Sequence, residues 1–76
     1  MITDDAILMV TVELSHVRKK NRLLSSPHEG YAVLLEEVDE LWTEVKKKRT
    51  DRDPIKMRAE ACQIAAVAMR ILIELT

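Results

Sequence analysis

Apolar residues return along this chain at intervals of three and four, in three blocks separated by short polar punctuation. That spacing lays one apolar stripe along an α-helix, whereas a half-buried strand would alternate at every second residue. In the first block Ile7, Val10, Leu14, Val17 and Leu24 form the stripe. Thr3 or Asp4 is suited to cap its start, and Arg18-Lys19-Lys20-Asn21-Arg22 closes it, so the pattern predicts a helix over about 4–22. The basic run has two readings, a solvated end that complements the helix macrodipole or a phosphate-binding patch.

The second block opens on Ser26-Pro27-His28-Glu29, with Ser26 as N-cap, Pro27 in the first helical position and Glu29 completing a capping box. Tyr31, Leu34, Leu35, Val38, Leu41, Trp42 and Val45 then share one face of a helix predicted over about 27–49. Gly30 lowers helix propensity in the first turn and permits a close approach there. His28 is either a surface residue of that turn or a substrate contact. Asp53 as cap and Pro54 as first residue start a third helix over about 54–75. Ile55, Ala61, Ile64, Ala65, Ala68, Met69, Leu72 and Leu75 make its apolar face, and Val67, Ile71 and Ile73 widen it. A helix so broadly apolar is expected to be buried on more than one side. One neighbouring hairpin would not cover it, which implies a partner subunit. The expectation is an all-α single domain over residues 1–76, with antiparallel helical hairpins forming a four-helix-type bundle completed by oligomerisation.

Composition supports this picture. The chain has 76 residues, one Gly, two Pro and no Phe, a balance that favours helix over sheet. A chain so short is marginal alone, and one cysteine excludes a disulfide framework. Cys62 lies in a helical pattern and reads as a small buried thiol, compatible with a reducing cytoplasm. The formal net charge of −1 gives no indication of nucleic-acid binding. The start, Met1-Ile2-Thr3-Asp4-Asp5, is acidic where a signal peptide would be basic. The apolar run from Ile64 to Met69 is stopped by Arg70, far too early to span a bilayer. A cytoplasmic protein without membrane attachment is expected.

One stretch resists a purely structural explanation. Glu36, Glu37, Asp39, Glu40 and Glu44 crowd the second helix. At separations of three and four, Glu36 meets Asp39 and Glu40, Glu37 meets Glu40, and Glu40 meets Glu44. Each like-charge pair destabilises a helix by about 0.2–0.5 kcal/mol. Only Glu44 finds favourable neighbours, Lys47 and Lys48. Glu37, Glu40 and Glu44 fall on a stripe at the rim of the apolar face, where a neighbouring helix can meet them. Folding helices two and three against each other at their turn brings Glu40 level with Glu60, and Glu37 level with Gln63. Three carboxylates and an amide oxygen then face one another, an oxygen-only set suited to Mg²⁺ or Mn²⁺.

These residues carry a resemblance. Glu36-Glu37-Val38-Asp39-Glu40 reproduces an EExxE motif, and Glu60-Ala61-Cys62-Gln63 follows where an ExxD motif would stand. The pair is similar to that of the MazG-like, all-α nucleoside triphosphate pyrophosphohydrolases, over roughly residues 26–75. The resemblance implies Mg²⁺-dependent cleavage of a nucleoside triphosphate between its α and β phosphates, giving a monophosphate and pyrophosphate. It implies that Glu37, Glu40 and Glu60 ligate metal with Gln63 in the fourth position, and that Glu36 orients or activates water. Lys48 and Lys56 lie on the same stripe as the site and are candidates to meet phosphate oxygens; for Lys48 the alternative is an ion pair with Glu44. Tyr31 and Trp42 could stack on a base, but their place on the apolar face favours core packing. Gln63 departs from the family pattern, because its amide contributes no charge where the family has Asp. Weaker metal binding is the consequence expected, and the alternative function is a slow or inactive helical interaction module. The sequence runs to Thr76, short of the further C-terminal helix that the resemblance implies for longer relatives, so one subunit is expected to offer less of the nucleotide pocket. Members of this family are homodimers or homotetramers, in keeping with the apolar surface of the third helix.

Overall fold

The computed structural model describes residues 1–76 and contains three α-helices and no strand: α1 (Thr3–Lys20), α2 (Pro27–Val45) and α3 (Pro54–Leu75), with a single 3₁₀ turn at Arg49–Asp51. α1 and α2 each pack on α3, and their backbones do not approach one another. α3 is therefore the central element, and its Cys62, Ala66 and Val67 form the core with Leu14 from α1 and Leu24 from the α1–α2 linker. No helix is long and apolar enough to cross a membrane.

The caps of α2 and α3 follow the sequence signals. Ser26 Oγ accepts the Glu29 N–H at 3.1 Å, and Asp53 Oδ1 accepts the Ile55 N–H at 2.9 Å. The Glu29 carboxylate reaches one residue further back than a capping box requires, accepting from the Ser25 N–H at 2.8 Å. Its other partner is Arg22, whose guanidinium donates to both carboxylate oxygens at 3.0 and 2.6 Å. The start of α1 differs from expectation. Neither Thr3 nor Asp4 caps it; Ile2 occupies the N-cap position, with no side-chain hydrogen bond.

Two helix ends fall short of the predicted boundaries. α1 stops at Lys20 rather than Arg22, because Asn21 turns to extended backbone while both its N–H and its side-chain amide donate to the Val17 carbonyl. Arg22 is thereby released to hold Glu29. α2 stops at Val45 rather than 49. The Lys47 N–H tightens onto the Glu44 carbonyl at 3.2 Å, and the Arg52 side chain donates to the Val45 carbonyl at 2.9 Å, so these two helix-end carbonyls are satisfied without a further turn.

Gly30 allows the predicted close approach. A Cβ there would lie 2.9 Å from Leu75 Cδ1 and 3.1 Å from Ile71 Cγ1, so the start of α2 touches the end of α3. A buried polar cluster fixes the same end of the molecule. Glu74 accepts from Arg70 Nε at 2.9 Å and from the Leu24 N–H at 2.8 Å, and Arg18 Nε lies 3.4 Å away. Arg70 also donates to the Arg22 carbonyl at 2.8 Å. α1, the linker and α3 are joined by this one cluster.

The expectation that Tyr31 and Trp42 pack in the core is corrected. Tyr31 is 63% exposed and Trp42 58%, and with Leu35 and Val38 they form an exposed apolar stripe on α2. Met69, Leu72 and Ile73 on α3 and Ile7, Leu8 and Val12 on α1 are exposed as well. Two neighbouring helices provide too few faces to cover a third helix apolar over so much of its circumference.

Candidate functional site

Glu37 and Glu40 stand one turn apart on α2, and Glu60 faces them from the first half of α3. One carboxylate oxygen from each comes within 4.8 Å of the others. Across such distances in a partly shielded setting, like charges repel strongly. The crowding acts on proton affinity. Burial, followed by the charge and close approach of Glu40 and by the charges of Glu60 and Glu36, pushes the Glu37 carboxyl up to about 7. Glu60 is raised by burial first and then by Glu40, against the opposing charge of Lys56. Glu37 Oε2 is shielded from solvent, and no hydrogen-bond donor reaches it. A shielded, donorless carboxylate oxygen beside two further carboxylates is a poor arrangement for a structural helix pair. It suits a hard divalent cation, whose charge would remove the repulsion and whose oxygen preference matches the donor set.

The other residues singled out by sequence fall around this cluster in different ways. Gln63, half-buried on α3, borders the same cleft as Glu37. Glu36 is exposed, and its charge is felt at Glu37. Lys56 is exposed one turn before Glu60, and its charge acts on both Glu60 and Glu44. Lys48 is exposed at the start of the 3₁₀ turn and forms no ion pair. The pairing of Lys48 with Glu44 is corrected: Lys47 makes that contact, its Nζ 2.6 Å from Glu44 Oε2. His28 is exposed at the start of α2.

Glu44 holds a place its spacing did not indicate. It is fully buried, with Oε1 accepting the Asp53 N–H at 2.7 Å. The contacts with Lys47 and with the Asp53 amide hold its carboxyl below the usual range despite burial. Both oxygens are committed to the α2–α3 turn, so Glu44 is a strut beside the cluster rather than a member of it. The Glu44–Lys47 spacing was legible as a favourable pair, whereas the capture of the Asp53 amide depends on the turn closing.

A cleft of about 490 Å³ adjoins the cluster, between α1 and α2 and floored by α3. Glu37 and Gln63 border it near the cluster, and Arg22, Glu29 and Arg70 also line it. α1 contributes Glu13, His16, Val17 and Lys20, a stripe at helical spacing of which sequence reasoning passed over Glu13 and His16. The signal was available as a polar flank beside the Leu14 and Val17 positions, but nothing in the spacing said that α2 would stand apart from it. Comparisons with protein-family models, with curated proteins and with solved structures find no match to this chain.

Proposed function

We propose that this chain is a MazG-like, Mg²⁺-dependent nucleotide pyrophosphohydrolase that cleaves a nucleoside triphosphate between the α and β phosphates to a monophosphate and pyrophosphate. The observation that carries the reading is the convergence of Glu37, Glu40 and Glu60 within 4.8 Å, with a shielded Glu37 oxygen that no donor reaches. Glu37, Glu40 and Glu60 would hold Mg²⁺ or Mn²⁺, with Gln63 at the edge of the set. When bound, such an ion neutralises phosphate oxygens, aligns the triphosphate and acidifies water.

The chain's own residues supply the remainder. Glu36, exposed beside Glu37, would orient or activate the attacking water, directly or through a further metal. Lys56 offers a cation to phosphate oxygens within the electrostatic reach of Glu60. Lys48 is the weaker phosphate candidate, since nothing ties its side chain toward the cluster. The resemblance in EExxE and in the following Glu60-Ala61-Cys62-Gln63 supports the same assignment. We further propose that the helices form antiparallel hairpins of a four-helix-type bundle completed in a homodimer or homotetramer, the exposed apolar stripe of Tyr31, Leu35, Val38 and Trp42 being the surface that supports this. The cytoplasm is the compartment assigned, with the buried free thiol of Cys62 consistent with it.

The test is pyrophosphate release from a panel of nucleoside triphosphates with Mg²⁺. The natural chain is expected to be active, Glu40→Gln to abolish release, and Gln63→Asp to raise it by restoring a charged ligand. A chain that releases no pyrophosphate, with no gain in Gln63→Asp and no melting-temperature rise in Mg²⁺, would overturn the proposal. The second reading is an inactive interaction module of the same architecture, favoured by neutral Gln63 and the exposed α2 stripe. That combination of results would leave it standing.

A further inference from the structure

We infer that the cleft between α1 and α2 receives the nucleoside end of the substrate, with Glu13 and His16 of α1 as its recognition residues. This assignment rests on the proposed phosphate chemistry and adds a site to it. Helical stripes converge on the cleft: Glu13, His16, Val17 and Lys20 from α1, Glu29, Val33 and Glu37 from α2, and Gln63, Ala66, Val67 and Arg70 from α3. Its volume of about 490 Å³ lies within the range of small-ligand pockets, roughly 300–1,000 Å³. Glu37 belongs to both the cleft and the carboxylate cluster. A triphosphate seated on the cluster therefore has an adjoining space in which its base and sugar can lie.

The distribution of internally paired and unpaired groups within the cleft gives the assignment its direction. At the end formed by the linker, Arg22 is paired with Glu29, and Arg70 with Glu74. Those charges are internally satisfied and act as a wall. Glu13, His16, Lys20 and Gln63 take part in no ion pair and no side-chain hydrogen bond. Together they offer a carboxylate acceptor, an imidazole and an amide that each donate and accept, and an ammonium donor. Buried Ala66 and Val67 beneath them form an apolar floor. An apolar floor for a flat ring, ringed by mixed donors and acceptors, is the chemistry of a nucleoside. The polar lining is unsuited to an apolar helix from a second copy, whose natural seat is the Tyr31–Trp42 stripe on the other side of α2.

His16→Ala and Glu13→Ala test the inference, because neither side chain has a partner within the chain to lose. Pyrophosphate release is measured for each against nucleoside triphosphate concentration, alongside the melting-temperature rise in Mg²⁺ alone. The expected result is a KM raised roughly three- to tenfold in each variant, the net effect of losing about one hydrogen bond that water can partly replace at exposed His16 and half-buried Glu13, with the Mg²⁺ response unchanged. Amide chemical shifts on adding a nucleoside monophosphate without metal are expected to move at Val17, Asn21 and Val67, and less in the variants. Unchanged KM in both variants, or shifts confined to the exposed α2 stripe, would overturn the cleft assignment while leaving hydrolysis intact. A natural chain without nucleotide turnover or Mg²⁺ response would overturn the phosphate chemistry, and this inference with it.

Discussion

Glu37→Gln should make the metal-free protein more stable, although it removes the most conspicuous residue of the site. The Glu37 carboxyl is raised from 4.5 to about 7 by burial and by the neighbouring carboxylates. At about 1.4 kcal/mol per pH unit that rise corresponds to roughly 3 kcal/mol, and the carboxyl's partial exposure to solvent screens the contribution to about 1–2 kcal/mol. The sign follows from proton counting. Between the ordinary carboxylate value and about 7 the folded chain binds more protons than the unfolded one, so stability falls as pH rises through that window. Below the window both states are protonated and the contribution vanishes. Glutamine keeps the shape and cannot ionise. In a chelator at about pH 8, Glu37→Gln is expected to melt about 4–8 °C higher for each kcal/mol recovered. At about pH 4 the two proteins should melt together. Mg²⁺ should then reverse the order at the higher pH, raising the natural chain and leaving the variant unmoved, because a ligand stabilises only the form that binds it. Thermal melts followed by circular dichroism at fixed protein concentration provide the assay. Equal melting temperatures at the higher pH, or the same difference at both pH values, would show that charge crowding at Glu37 is not what the geometry implies.

Three further outcomes follow from the packing. Arg70→Ala strips the main partner from buried Glu74 and frees the linker carbonyl of Arg22, and should cost about 3 kcal/mol in urea unfolding, with Arg18 retaining part of the pairing. Gly30→Ala should change stability by less than about 1 kcal/mol, since better helix propensity offsets a contact that the end of Leu75 can yield to, whereas Gly30→Val should cost about 1–3 kcal/mol against Ile71 and Leu75; both are read from the same denaturant curves. Trp42, more than half exposed in the single chain, should shift its fluorescence emission to shorter wavelength as protein concentration rises if the α2 stripe is an interface, and a concentration-independent spectrum would argue against one.

Much of this architecture was legible because it depends on local rules. Ser26-Pro27 and Asp53-Pro54 begin helices through hydrogen bonds within a few residues, and the starts of α2 and α3 fall where those signals stand. The approach of Glu37, Glu40 and Glu60 followed from helical rise and a short turn alone. The early ends of α1 and α2 were not legible, because Asn21 and Arg52 compete for carbonyls only once the linker and turn are folded. Glu44 looked like one more rim carboxylate, and its capture of the Asp53 amide nine residues away is a tertiary fact. Arg70 and Glu74 have the spacing of an ordinary helix pair, and nothing local says that the linker will bury them. The placement of Tyr31 and Trp42 failed for a related reason: periodicity identifies an apolar face, but not whether the same chain supplies its cover.

The Glu44 strut has a consequence for residues it does not touch. By tying the end of α2 to the first residue before α3, it sets how far one helix can slide along the other. A slip of a single residue would move Glu60 about 1.5 Å along its axis relative to Glu40, several times the roughly 0.2 Å tolerance of a metal–ligand distance. The alignment of the acidic trio is thus governed from the turn, before any ion arrives, and a fault in that distant anchor would surface as lost cation affinity in a molecule whose ligands were all still present.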